Sequence, residues 1–198
     1  FQIPRMYGVH KTDQDIRREL HSFCDASEVC IAASVFLRTV APNGSYDCRL
    51  VTSKTRLAPL KGQTIPRLEL SAAQLAARLV DLVRRELDIV IHQEYFWTDS
   101  KCTLGFIKNT KTRFVIYVAN RVSEIQAITQ MDSWRYIPTA LNVSDGLTRS
   151  VFPSQLENHP YFFGPTFLYT PEDQWPMNEN LNDCYQDYIE RKEVRKTQ

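Results

Sequence analysis

The sequence predicts a mixed α/β domain, one sheet with helices packed on its faces, and three observations carry that expectation. Three strand-like runs joined by turn residues come first, a long amphipathic helix follows, and strands and helices then alternate to about residue 149. With 198 residues and 43% hydrophobic content, the chain is long enough to bury one sizeable core and still carry extensions.

Residues 1–19 are polar, contain Pro4 and a charged stretch from Lys11 to Glu19, and read as a connector. Strands are expected at Leu20–Cys24, Cys30–Arg38 and Tyr46–Lys54, where β-branched and aromatic residues concentrate. Ala26-Ser27-Glu28 allows a tight reversal, and Pro42-Asn43-Gly44-Ser45 is strong turn chemistry, so the three strands form an antiparallel meander. Thr64 is placed to cap the next helix, and Pro66 falls in the first turn, where its missing N–H is harmless. Leu68, Ala72, Leu75, Ala76, Leu79 and Val83 then recur at helical spacing to about Leu87.

The apolar run Tyr95–Trp97 is the fourth strand. Helices are expected at Ser100–Lys108 and Arg113–Thr129, the latter with Val115, Val118, Ala119, Val122, Ile125 and Ile128 inward. A last strand, Trp134–Ile137, stops at Pro138, and a short helix covers Asn142–Arg149. The domain proper is therefore expected over residues 20–150. From 151 to 198 the prolines at 153, 160, 165, 171 and 176 break any long element. Tyr161-Phe162-Phe163 and Phe167-Leu168-Tyr169 supply aromatics for an irregular wrap, followed by an acidic tail.

Net charge is +1, so no overall basic field marks a dedicated nucleic-acid binder. Charge is unevenly placed, however. Arg49, Lys54, Arg56, Lys61 and Arg67 follow one another with no acid between them, whereas residues 171–198 hold seven acids against four basic residues. Five cysteines with no Cys-x-x-Cys pair argue against a disulfide framework and a zinc module, and fit a reducing compartment. The protein is thus expected in the cytoplasm or nucleus and not secreted. No apolar run approaches the length of a membrane span, so no membrane partner is expected.

Four acids stand in places that ordinary surface does not explain. Asp25 and Asp99 end the apolar runs Ser22-Phe23-Cys24 and Tyr95-Phe96-Trp97-Thr98, Glu69 lies in the start of the long helix, and Asp145 lies in the last one. A carboxylate at the mouth of a buried strand is costly unless something compensates its charge. A crossover helix would set the first and fourth strands side by side, so that all four acids converge. Four hard oxygen ligands suit Mg²⁺, with Mn²⁺ as a substitute, and two such ions about 3.5–4 Å apart can flank one phosphodiester. His10, His21, His92 and His159 are scattered and form no ligand pair. Taken singly, each acid has a plainer reading. Asp99-Ser100 can cap the following helix, Glu69 can compensate a helix dipole, and Asp145 can be a solvated first-turn acid.

The ordered set resembles the ribonuclease H domain of Pao/BEL-type LTR retrotransposon polyproteins. The matching stretches are Leu20-His21-Ser22-Phe23-Cys24-Asp25-Ala26-Ser27, Ile65-Pro66-Arg67-Leu68-Glu69-Leu70, Trp97-Thr98-Asp99-Ser100 and Asn142-Val143-Ser144-Asp145. The likeness continues into Phe163-Gly164-Pro165 and Gln174-Trp175-Pro176. It implies a ribonuclease H-like α/β fold: a five-stranded mixed sheet, antiparallel in strands one to three and then with two parallel strands, and helices on both faces. It also implies hydrolysis of the RNA strand in RNA–DNA hybrids, with an attached reverse transcriptase domain in the parent polyprotein. By that resemblance Asp25 bridges two metals, Asp145 helps hold the one that activates water, and Glu69 and Asp99 hold the one near the leaving group.

The candidate substrate-binding residues are Ser27, Lys54, Arg56, Arg67, Ser100 and Asn142. The basic run is equally readable as a solvated face, and Asn142 as a hydrogen-bonding residue at the last helix start. Two other functions keep the same fold. One is a host-retained, non-catalytic nucleic-acid or protein-binding module. The other is a transposase or integrase core, disfavoured because its final acid is commonly Glu, where this chain has Asp145.

Overall fold

The computed structural model describes residues 15–149, 159–176 and 193–194. The first part of the expected connector, the start of the expected wrap and most of the acidic tail, with Cys184, lie outside the described residues. Five strands form one sheet: β1 (Arg17–Ala26), β2 (Cys30–Val40), β3 (Tyr46–Leu57), β4 (Gln93–Thr98) and β5 (Trp134–Tyr136), in the order β3-β2-β1-β4-β5. β1–β2 and β2–β3 are antiparallel, while β1–β4 and β4–β5 are parallel. The mixed sheet with β1 and β4 adjacent at its centre is the architecture expected.

The first three strands run longer than their apolar stretches suggested. β1 starts at Arg17 because Glu19 is buried in an ion pair and Arg18 donates its backbone N–H to His92 Nδ1 at 3.0 Å. Ser27 closes the β1–β2 reversal, where its N–H bonds Cys30 O at 2.8 Å. At the second hairpin Gly44 takes φ +80°, and Asn43 Oδ1 accepts the Ser45 N–H at 3.0 Å.

The helices α1 (Ile65–Glu86), α2 (Lys101–Ile107) and α3 (Ile116–Ile128) pack on one face of the sheet. α1 buries Leu68, Ala72, Ala73, Leu75, Ala76, Ala77, Leu79 and Val83, and its small side chains let the helix lie close on β1 and β2. Thr64 stands at its N-cap without a side-chain hydrogen bond, so Pro66 in the first turn is the start signal that operates. α3 begins at Ile116 rather than Arg113 because Phe114 bridges to Val194 and Val115 donates its N–H to Glu193 O. The last helix, α4 (Asp145–Thr148), is four residues long and shorter than expected.

Residues 159–176 cover the opposite face, through α5 (Pro160–Phe163) and two short 3₁₀ turns. Phe167, Leu168 and Trp175 pack there against Phe23, Phe36, Tyr95 and Trp97. Arg38 ties this segment to the sheet: Nε donates to Leu168 O at 2.7 Å, Nη2 to Thr170 O at 2.8 Å, and Nη1 to Glu19 Oε2 at 2.6 Å. Burial alone would raise the Glu19 carboxyl, but the His21 ring and the Arg38 guanidinium outweigh it and hold it down at about 2. Burial drives His21 down to about 4. A neutral ring fits its contacts, since Nδ1 accepts from Trp97 Nε1 and Nε2 is left to donate to Glu19. Cys24, Cys30, Cys48 and Cys102 are free thiols, and among the described residues no helix is long and apolar enough to cross a membrane.

Candidate metal centre

Asp25 lies at the carboxyl end of β1, and Asp99 follows the carboxyl end of β4. Because these strands are parallel neighbours with Phe23 opposite Trp97, both acids emerge at the same edge at the centre of the sheet. Ligands of open α/β sheets gather at that edge. α1 starts there too, and its Glu69 reaches the same point from just beyond the first turn, where no acid compensates the dipole. One carboxylate oxygen from each of Asp25, Glu69 and Asp99 lies within 4.8 Å of the others.

The environment of this trio is unfavourable to negative charge. Asp25 is 5% and Glu69 8% exposed. Burial raises the Asp25 carboxyl, the Thr148 hydroxyl restrains it, and the charges of Asp99 and Asp145 push it further, to about 6. Burial and the charges of Asp25 and Asp99 raise Glu69 to about 9. Glu69 Oε2 is buried without a hydrogen-bond partner, and among the described residues no basic side chain pairs with any of the three. A hard divalent cation fits this donor set, because it would supply the missing charge and occupy the orphaned oxygen.

Asp145, the first residue of α4, stands outside the trio. It is near enough to raise Asp25 and Glu69, yet its Oδ1 pairs with Arg149 Nε at 2.9 Å on the rim. The segment that carries it is anchored to the end of β1. Ser144 Oγ donates to Phe23 O at 2.9 Å, Asn142 Nδ2 to Cys24 O at 3.0 Å, and Thr148 Oγ1 to Asp25 Oδ2.

The substrate candidates divide. Asn142 is 4% exposed and committed to protein, since its amide also reaches Asp99 Oδ1 at 3.3 Å and its carbonyl takes the Ser144 N–H. Ser27 serves its turn, accepting from Val29 N and Cys30 N, and Ser100 caps α2 by accepting from Thr103 N. Arg67 forms a two-pronged pair with the buried carboxylate of Glu193, 2.8 Å on each arm. Lys54 and Arg56 are exposed on β3 with no hydrogen-bond or ionic partner among the described residues.

Sequence reasoning missed Thr148, Ser144 and Arg149. Thr148 sits one helical turn after Asp145, a spacing that could have flagged it. Nothing in the sequence signals Ser144, whose hydroxyl meets Ser34 Oγ at 2.9 Å across 110 positions.

The family model of the Pao retrotransposon-like RNaseH-like domain matches residues 1–100. The chain belongs to that family. No curated protein matches the chain. Among solved structures it is similar to the LC11 RNase H1 isolated from compost, at 12% identity over 67% of this chain and 91% of that one, TM-score 0.42. An RNase H1 from Halobacterium salinarum shares 14% identity, covering 64% and 89%, TM-score 0.36. The prototype foamy virus protease–reverse transcriptase shares 10%, covering 72% of this chain and 19% of that chain, TM-score 0.34.

Proposed function

We propose that this Pao-type domain is a divalent-metal-dependent endoribonuclease that hydrolyses the RNA strand of RNA–DNA hybrids during retroelement reverse transcription. The observation that carries the reading is the meeting of Asp25, Glu69 and Asp99 in a buried cluster, with no protein cation to balance it. Membership in a family of RNaseH-like retrotransposon domains supports the same reading.

In this reading Asp25, Glu69 and Asp99 hold Mg²⁺, or Mn²⁺ in its place, and Asp145 completes the set from the rim. The ion would supply positive charge for phosphodiester oxygens and make water more acidic. Thr148 fixes the orientation of Asp25, and Asn142 fixes that of Asp99 while tying it to the end of β1. Asp25 and Asp99 are thus oriented before substrate arrives, so that positioning and charge stabilisation do the catalytic work without a covalent intermediate. The domain would act beside an attached reverse transcriptase domain, in cytoplasmic virus-like particles or in the nucleus.

The pairing of Asp145 with Arg149 favours a second reading, a retained module that binds without cutting. Incubation with end-labelled hybrid and Mg²⁺, beside an Asp25→Asn control, decides between them. Cleavage leaving 3′-hydroxyl and 5′-phosphate ends is expected, lost by roughly 10²–10³-fold or more in the variant. Absence of any Asp25-dependent cutting removes the nuclease reading.

A further inference from the structure

Two clefts on the α1 face meet at Arg56 and Arg78. One, of about 150 Å³, lies between β3, α1 and the start of α3 and carries Arg56, Arg78 and Arg121. The other, of about 310 Å³, continues along α1 past Lys54 to Arg85. Together they make one trough with a basic lining, and its charges are not all neutralised within the protein. Glu124 takes Arg78 through both oxygens, and Asp81 takes Arg85 at 3.1 Å. Lys54, Arg56 and Arg121 have no ion pair among the described residues.

The free cations are not scattered. Lys54 and Arg56 lie opposite Ala33 and Ile31, two residues that pack on the α1 side, so both point to that face. Arg121 is held in place: its guanidinium lies 3.6 Å over the Tyr117 ring, Nε donates to Ser71 Oγ at 3.1 Å, and Nη1 to Tyr117 O at 3.1 Å. Its Nη2 has no hydrogen-bond partner among the described residues. A guanidinium fixed in this way loses little freedom on meeting a phosphate.

The trough also adjoins the metal centre. Arg56 pairs with Ile31, which pairs with Ala26, the residue after Asp25. Two strand spacings put β3 about 10 Å from β1, a distance covered by about three nucleotides of one strand at 3.4 Å of rise each. Ser71, which positions Arg121, follows Glu69 by two residues on α1.

We propose that this trough binds the phosphodiester backbone of a nucleic-acid strand that runs out of the metal centre across β2 onto β3 and α1. The inference rests on the nuclease reading for its direction, since the strand is followed outward from the acids. Contacts of this type hold any sequence and depend steeply on salt.

The test uses the full chain in the Asp25→Asn background, without metal, titrated with fluorescein-labelled hybrid over a range of KCl. Lys54→Glu/Arg56→Glu is expected to weaken binding roughly tenfold or more and to lower the slope of log affinity against log salt by about 2. Arg56→Lys is expected to bind as its parent. Arg49→Glu, at the far end of β3 beside Asp47, makes half that change of charge away from the trough; it is expected to change little, and far less than half the effect of the double variant. Equal affinity and slope for the trough variant and the Arg49 control would overturn the inference, as would a parent that binds no nucleic acid. Cleavage is scored separately on the wild-type chain. Cutting without a trough effect removes the trough alone, whereas a trough effect without cutting removes the nuclease alone.

Discussion

At Glu69 a carboxyl group is buried and one of its oxygens lacks any hydrogen-bond partner. Burial and the neighbouring charges of Asp25 and Asp99 raise it from 4.5 to about 9, so the folded protein holds a proton that the unfolded chain releases. Folding stability from this group is therefore full below about pH 4.5 and is lost as pH rises towards 9. Glu69→Gln removes the titration. The variant is expected to be more stable than the metal-free wild type at pH 9, by an amount on the order of several kcal/mol, and the gap should close towards pH 5. Urea unfolding at a series of pH values measures it, and a gap that does not depend on pH would contradict the account.

Among the elements, the segment 159–176 is held by contacts more than by regular structure. Gly164 joins α5 to the following turn at φ +74°, and a Cβ there would stand 2.8 Å from Cys48 Sγ and 3.3 Å from a Leu168 methyl. Both the backbone angle and the space demand glycine. Gly164→Ala is expected to cost about 1–3 kcal/mol, read as a lower thermal midpoint. A neutral effect would mean that the segment can lift from β3 without loss. The same segment seals Trp97 and Tyr95 under Trp175, whose rings lie 5.8 Å and 5.1 Å from it. It thereby keeps the rear of β1 and β4 dry while their carboxyl ends present the acids. At the sheet's other end β1 begins in the buried Glu19–Arg38 pair, so one strand carries a compensated acid at its start and an uncompensated one at its finish.

For the whole molecule these terms set an unusual dependence of stability on pH. Ordinary acid denaturation comes from carboxylates that the native state prefers ionised. Glu19 is of that kind, but Asp25 and Glu69 are of the other, with values raised to about 6 and about 9. In the proposed function Mg²⁺ would bind the deprotonated acids and only in the folded state, so it is expected to raise the thermal midpoint more at pH 8 than at pH 6. Scanning calorimetry with and without Mg²⁺ at both values checks this. A midpoint indifferent to Mg²⁺ at pH 8 would mean that the trio binds no ion.

Composition, turn residues and apolar periodicity were enough to set the order of strands and helices, because each of those signals is local. Pro42-Asn43-Gly44-Ser45 turns a hairpin wherever it occurs, and the helical spacing from Leu68 to Val83 buries one face against whatever lies beneath. Asp25 and Asp99 were legible for a similar reason, since a charge at the end of an apolar run is conspicuous in one dimension, and Glu69 stood out by its place at the start of the long helix. Tertiary structure alone decided the rest. It held Asp145 at the rim against Arg149, gave Asn142 to the strands, Arg49 to Asp47 and Arg67 to Glu193, and left Lys54, Arg56 and Lys61 of the basic run without an ionic partner among the described residues. Whether a polar side chain is spent on the protein or left for a ligand depends on partners tens of residues away, and no local pattern encodes them.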